Sequence, residues 1–426
     1  MLSYRLTSRV VIAYGFSAVS TLITVDKVIH ASYNIAGNCY KEVNKMKTII
    51  GGRVVTPQGI LEGMAVVYNE KIATLVPETE ISRSKADEVL DVKGALVCPG
   101  LIDTHIHGYK GADASDADES AVLEMARALP DVGVTAFLPT VMTLPMDETR
   151  RALSNVRSAM KKTETDAFSA RVLGCHLEGP FLNPAKKGAQ DDRAVLPPDA
   201  ELLFPYADVL KIVTLAPEMP GAVPCTQSLA KAGIRVSLGH TLSNRETALS
   251  AFEAGANRAT HLFNAMPPVH HREPGVVGAA LESNAVYTEL IADRLHVHPS
   301  LFALLDAIKR DHLCLVTDCN RAGGMKPGQY MLGGLSFTYD GERCVAGSDT
   351  LAGSVLTLNR AVHNLHRAGV PLHRAVNAAS LNPARSIGLE CKGAIAPGMD
   401  ADFLIADDNM NPLYVIRQGE TVRKMI

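Results

Sequence analysis

Along the middle of the chain, short apolar runs alternate with longer stretches of helical period. Eight runs read as strands: ALVCPGLIDTHIH, GVTAFLPTV, RVLGCHLEG, VLKIVTLAP, IRVSLGHT, RATHLFNA, YTELIADRLHV and LCLVTD. Helical stretches fall between most of them, near residues 118–130, 146–162, 221–232, 243–255 and 300–310. Ser243-Asn-Arg-Glu246 has the spacing of a capping box and predicts a helix start just after His240. Alternation of this kind predicts an α/β fold, a (β/α)8 TIM-like barrel. A doubly wound open sheet is the alternative. It gives no reason for chemically able residues to gather at the ends of so many strands.

The two ends of the chain have a different texture. From Lys47 to Val97 the pattern is KTIIGGRVVT, MAVVYNEKIATLV and DVKGALVCPG, punctuated by glycine and proline. KGAIAPGMDADFLIAD and LYVIRQGETV repeat that character near the C-terminus. The expectation is a small β-sandwich domain built from residues 46–98 and 391–426, flanking a barrel over 99–390. Residues 1–45 stand apart as an N-terminal extension. Arg5 and Arg9 precede an uncharged stretch from Val10 to Val25 that superficially resembles a signal peptide. That stretch carries Ser, Thr, Tyr and Gly, is short for a membrane span, and lacks a small-x-small site after it. Met46 then opens a clean strand, so residues 1–45 are expected to be disordered or to follow from a mis-assigned start.

A chain of 426 residues with 47% hydrophobic and 20% charged residues is ordinary globular composition. The formal net charge of −3, with Lys and Arg scattered, excludes a phosphate-tracking surface for nucleic acid. An anionic small molecule would be caught by a few placed groups. The eight cysteines are dispersed with no CxxC pair, which reads as reduced, mostly buried thiols in a cytoplasmic protein with no membrane partner.

Six residues that handle metals or protons lie at or just past apolar runs: His105, His107, Glu178, His240, His261 and Asp318. His105 and His107 are two apart in a strand and therefore share a face. A lone HxH, or a lone histidine closing a strand, is weak. Two histidines closing successive strands downstream of Glu178 are much stronger, because a barrel would bring all six to one mouth. Imidazole and carboxylate donors suit zinc or ferrous iron with a position left open for water. Such an ion lowers the pKa of its water toward neutrality. Asp318, at the end of the last strand, is placed to take and return a proton.

HLEGPF followed by Asn-Pro-Ala-Lys-Lys-Gly-Ala, then SLGHT, ATHLFNAMPP, HHREPG and LVTD in order, resembles the N-acetylglucosamine-6-phosphate deacetylase family of the amidohydrolase superfamily. The likeness runs from about Lys47 to the C-terminus. It implies hydrolysis of the acetamide of N-acetylglucosamine 6-phosphate, a step of amino-sugar catabolism. It implies Glu178, His240 and His261 as metal ligands, with His105 and His107 able to hold a second ion, and Asp318 as catalytic acid and base. It also implies sugar-phosphate contacts from Ala189, Gln190, Asn264 and Ala265, a hydroxyl contact from His296, and a substrate loop at Leu351, Ala352 and Gly353. Arg272 matches a phosphate-binding arginine that reaches the neighbouring subunit, so a homodimer or dimer-based tetramer follows.

The departures are informative. Gln190 stands where a histidine polarises the scissile carbonyl in familiar members; a neutral amide carries no charge there, so Gln190 is expected as a catalytic residue that keeps the role more weakly, aiding the metal in stabilising the oxyanion, unless another group takes it. Arg294 replaces a small residue, and Thr-Asp-Cys-Asn-Arg replaces a more familiar Thr-Asp-Ala-Thr, changes expected around Asn320 to touch sugar recognition. N-acetylgalactosamine 6-phosphate is therefore the alternative substrate. Glu178 offers a bridging carboxylate directly, so no carbamylated lysine is required, which argues against dihydroorotase-like chemistry. A deaminase or cyclic amidase would not need Asn264 and Arg272, and a lapsed sugar-phosphate-binding protein would not need Asp318.

Overall fold

Eight parallel strands form the centre of the protein, and all are nearly continuous apolar runs because helices or loops cover both of their faces. They are β1 (Leu101–Ile106), β2 (Val134–Val141), β3 (Cys175–Glu178), β4 (Leu210–Leu215), β5 (Arg235–Leu238), β6 (Ala256–Ala259), β7 (Tyr287–Ile291) and β8 (Leu313–Val316). Each pairs in parallel with the next in chain order. Between β8 and β1 the junction is held at one end, where Asp318 N donates to His105 O at 2.9 Å and Thr317 Oγ1 to Asp103 Oδ2 at 2.6 Å. The result is a nearly closed (β/α)8 barrel, as the strand–helix alternation predicts. This is a computed structural model, and it describes residues 45–81, 88–347 and 350–425. The expectation for the N-terminal extension falls on residues 1–44, outside the described residues.

The helices are α1 (Glu119–Ala128), α2 (Met146–Thr165), α3 (Ala222–Lys231), α4 (Arg245–Glu253), α5 (Gly275–Glu282), α6 (Phe302–Lys309), α7 (Leu358–Arg367), α8 (Leu372–Ala378) and α9 (Leu381–Ser386). Five were foreseen; α5 and α7 to α9 were not. In α1 the buried Ala121, Val122, Met125 and Ala126 recur at helical spacing, and Asp118 caps the start by accepting from Ser120 N. The cap of α4 differs from expectation by one residue. Asn244 is the cap and accepts from Thr247 N at 2.9 Å, while Ser243 is buried and donates its hydroxyl to Asn244 O. Ile387 and the neighbouring Ala384 and Leu389 plug the N-terminal end of the barrel against Ile102, Ala136, Leu138 and Ile212. That leaves the C-terminal end for chemistry.

Two sheets draw on both ends of the chain. One orders Ile72–Pro77, Met64–Tyr68, Lys47–Ile50 and Glu88–Asp91. The other places Glu420–Lys424, Pro412–Arg417 and Phe403–Ala406 beside Leu96–Pro99, Arg53–Thr56 and Gly59–Leu61. Ile49, Val54, Val66, Val97, Phe403 and Ile405 share one apolar cluster between them. After β8 comes an unforeseen antiparallel sheet of Gly328–Leu332, Leu335–Tyr339, Cys344–Ala346 and Thr350–Leu351. Among the described cysteines all are unpaired, and only Cys391 is exposed. Among the described residues no helix is long and apolar enough to cross a membrane.

Candidate active site

The barrel brings the six residues to one mouth. His105 lies near the end of β1 and His107 just beyond it, Glu178 ends β3, and His240, His261 and Asp318 each stand two residues past β5, β6 and β8. All are buried. The three that overshoot their strands have left-handed backbones, with φ of 49° at His240, 29° at His261 and 48° at Asp318. Such conformations cost about 1–3 kcal/mol each outside glycine and persist where the surroundings over-determine them. The turn after Glu178 requires glycine: φ at Gly179 is 99°, and a Cβ there would meet Thr143 Oγ1 at 2.0 Å.

Glu178 is the hub. Its Oε1 lies 3.1 Å from His240 Nε2, 3.2 Å from His261 Nε2 and 3.5 Å from His105 Nε2. Its Oε2 lies 3.3 Å from His107 Nε2. Asp318 Oδ1 faces the same pair of rings, 3.4 Å from His105 Nε2 and 3.2 Å from His107 Nε2. Ring nitrogens also face one another, His240 and His261 at 3.1 Å and His105 and His107 at 3.4 Å.

Three of the four rings have their other nitrogen committed as a donor. His240 Nδ1 donates to Lys186 O at 2.8 Å, His107 Nδ1 to Thr140 O at 3.1 Å, and His105 Nδ1 to Glu289 Oε2 at 2.9 Å. A neutral ring held that way presents a bare lone pair at Nε2. Lone pairs thus converge on carboxylate lone pairs, an arrangement that demands positive charge in the middle. Protons are one way to supply it. Burial would lower the His105 pKa, but Asp318, Glu178 and Glu289 together push it up to about 9. Burial would likewise raise Glu178, yet His240 and His105 hold it well below the carboxylate range.

A divalent ion fits the same demand. His105, His107 and Glu178 form one donor group and Glu178, His240 and His261 another, with the donor atoms in each within 4.8 Å of one another. Fixing a ligand ring through its second nitrogen is how metal sites orient imidazoles. His261 departs from this, since its Nδ1 has no partner among the described residues. A third group, His105, His176 and Glu289, is spent on structure: His176 Nε2 pairs with Thr214 Oγ1 at 2.8 Å, and burial drives its pKa down to about 3.

The cluster opens into a cavity of about 360 Å³. Ala189, Gln190, Asn264, Ala265, His296, Leu351 and Gly353 line it, as do five of the six cluster residues. His105 lies beneath. Ala352 is fully buried beside the loop, its carbonyl accepting from Asn320 Nδ2 at 2.6 Å. Arg272 lies outside the cavity, exposed, with Nη1 2.8 Å from His271 Nε2. Of the two departures expected near the sugar pocket, Asn320 is fully buried and bonded to the 352 loop, Arg294 is exposed, and neither lines the cavity. Gln190 donates from Nε2 to Glu178 Oε2 at 2.5 Å and accepts from Thr143 N at 2.8 Å.

Two groups escaped the sequence reading. Lys186 lines the cavity and is the one permanently cationic side chain among the described lining residues; its Nζ donates to Met266 O at 3.3 Å. Its signal was the Lys-Lys-Gly that follows HLEGPF. Glu289, fully buried in β7, holds Arg258 at 2.8 Å as well as His105 and the His261 amide. Its signal was a charged residue inside the apolar run YTELIA.

A barrel with histidines and carboxylates gathered at its C-terminal rim defines a metal-dependent hydrolase. Residues 96–422 match the amidohydrolase family, and the chain belongs to it. It is 36% identical over 374 residues to N-acetylglucosamine-6-phosphate deacetylase of Bacillus subtilis, covering 86% of this chain and 94% of that one. It is 32% identical over 380 residues to N-acetylgalactosamine-6-phosphate deacetylase of Escherichia coli O157:H7, covering 86% and 97%. The crystal structure of N-acetylglucosamine-6-phosphate deacetylase from Pasteurella multocida superposes with a TM-score of 0.83 at 30% identity, over 88% of this chain and 99% of that one.

Proposed function

We propose that the protein hydrolyses the acetamide of N-acetyl-D-glucosamine 6-phosphate to D-glucosamine 6-phosphate and acetate. The observation that carries this reading is the Glu178-centred cluster opening onto a cavity with Lys186 in its wall. The metal is a divalent ion of the zinc or ferrous class, held by Glu178, His240 and His261, with a second place at His105 and His107. When bound it supplies Lewis acidity and a water acidified toward neutral pH.

Asp318 accepts the proton of the attacking water as the C–O bond forms, and returns it to the amide nitrogen as the C–N bond breaks. Acetate and the free amine leave. Its place beside both first-strand histidines, with Gly353 packed against its backbone, supports that role. Phosphate falls to the 261–265 segment and Lys186. His261, Phe263 and Ala265 alternate as left-handed residues, a backbone pattern that forms anion-binding concavities, and the Lys186 ammonium stands against it. Asn264 and His296 take the sugar, and Leu351 to Gly353 close over it. We further propose a cytoplasmic homodimer in which the exposed Arg272 serves the neighbouring copy, with residues 46–98 and 391–426 as the small domain and 99–390 as the catalytic one.

The E. coli relative favours a second reading, the galacto epimer as substrate. Acetate and free-amine release from both epimers, before and after chelation, decides between them. Release confined to the gluco epimer and lost on chelation is expected; preference for the galacto epimer keeps the mechanism and changes the substrate; no release from either overturns both. Lys186→Met is expected to raise KM for the phosphorylated sugar roughly tenfold, in line with a charge-assisted hydrogen bond, while kcat holds. An unchanged KM removes Lys186 from the phosphate site.

A further inference from the structure

Gln190 is committed on both sides of its amide. Only the carbonyl half of an amide accepts, so the bond from Thr143 N to Oε1 fixes the group and leaves Nε2 to donate to Glu178 Oε2. The side chain is 4% exposed, so solvent does not compete for these bonds. Thr143 grips the same glutamate from its other end, Oγ1 donating to Glu178 O at 2.8 Å. One residue pair therefore holds the Glu178 side chain and backbone together.

The consequence lies in how Glu178 divides its oxygens. Oε1 faces His240, His261 and, at 3.5 Å, His105, while Oε2 faces His107 and Gln190. A carboxylate oxygen has two lone pairs, and one N–H from Gln190 leaves the other for the His107 side. A carboxylate without such a bond can rotate and offer both oxygens to a single ion. Rotation here would break the Gln190 bond and leave a buried N–H unmatched, at a cost comparable to a lost hydrogen bond. An uncharged amide also holds the carboxylate without opposing a cation, which an imidazolium at this position would do.

We propose that Gln190 is a positioning residue that locks Glu178 with Oε1 toward His240 and His261 and Oε2 toward His107, and so sets the site to hold two ions rather than one. The inference rests on the metal-dependent reading of this site, and no proton passes through Gln190.

The test is titration of the metal-free full chain with zinc alone by calorimetry, with bound zinc counted after gel filtration. Gln190→Met keeps the volume and removes the donor. Gln190→Asn keeps the amide but is one methylene too short to span Thr143 and Glu178. The wild type is expected to take two ions. Both variants are expected to bind the weaker ion about 10–100-fold less tightly, with the first ion and the melting temperature of the metal-free chain little changed. Should one variant fail to fold, the other carries the measurement. Two ions with wild-type affinity in a folded variant overturn the inference, and so does a wild type that holds a single ion. Acetate release by the same wild-type preparation keeps the two readings apart: absent release overturns the proposed activity and leaves the ion count to stand or fall by itself.

Discussion

Two clusters in this protein, one half-buried and one buried, use carboxylates in opposite ways. Between the chain ends, Lys392 Nζ lies 2.7 Å from Asp400 Oδ2 and 2.6 Å from Asp402 Oδ2. Asp400 also holds Lys71, and Asp402 Oδ1 accepts from Gln418 N at 2.8 Å. Every charge there has its opposite within the protein. At the barrel mouth, Glu178 and Asp318 face four imidazoles, three of them fixed with the bare nitrogen inward, and the cluster must take its positive charge from outside. A closed cluster binds the chain to itself; an open one binds something else. Sequence composition does not distinguish them, because the difference lies in which lone pairs and protons meet.

The largest break in this comparison comes at the open cluster. Asp318→Asn keeps the shape of the residue and removes its ability to take a proton. Turnover is expected to fall by about 10²–10⁴-fold, the usual contribution of general acid–base catalysis, with KM and thermal stability close to wild type. Acetate release under saturating substrate measures it, and near-normal turnover would remove Asp318 from the mechanism. At the closed cluster the effect should appear in stability instead. Lys392→Met strands the Asp402 carboxylate while Asp400 keeps Lys71, and losing one partner of a buried ion pair costs about 3 kcal/mol or more. The lower end applies, since the Lys392, Asp400 and Asp402 side chains remain 13%, 18% and 7% exposed. Urea unfolding measures the loss, while acetate release per folded molecule stays at the wild-type level. A fall in kcat in the folded variant would show that the closed cluster is coupled to the open one.

The barrel was legible because its strands are buried on both faces, which leaves uninterrupted apolar runs such as Val134–Val141. The six cluster residues were legible because each interrupts or ends such a run. The helix α5 and the trio α7 to α9 were not: none starts on a side-chain cap bond, and the helical spacing of Leu358, Ala361, Val362 and Leu365 in α7 was passed over. The exchange of Ser243 for Asn244 as the cap of α4 has a similar cause: two capping residues stood side by side, and tertiary burial of Ser243 chose between them. Gln190 and Lys186 show the remaining limit. Resemblance supplies a role for a position, but the partner of Gln190 is fixed by Thr143, 47 residues away, and no local pattern encodes that.

The smallest effect sharpens the comparison with a third cluster, closed like that of Lys392 but built on a histidine. His296 Nδ1 lies 2.6 Å from Asp293 Oδ2 on the cavity wall. Burial pulls the His296 pKa down, but Asp293 outweighs it and the net shift is upward from 6.5. A histidine whose folded pKa is raised contributes its stability in full below the unfolded value, and loses it as pH climbs through the higher folded value. Asp293 has the opposite sign: burial raises it, the His296 bonds win, and its pKa falls below 3.8, so its contribution is lost only in acid. The pair therefore stabilises between roughly pH 4 and 6.5 and fades above that. Lys392, raised above 10.5, and Asp400, lowered below 3.8, contribute a constant amount across the same neutral range. Unfolding free energies of wild type and Asp293→Asn from urea titration should differ by about 1.5 kcal/mol, the size of a charge-assisted hydrogen bond, below pH 6.5. The gap should narrow as pH rises, leaving only what Asp293 contributes by accepting from the amides of Leu295 and His296. A gap that stays level to pH 9 would mean that His296 is neutral in the folded protein, and the wall of the cavity would then present one permanent cation, Lys186, with no second charge to help it hold a phosphate.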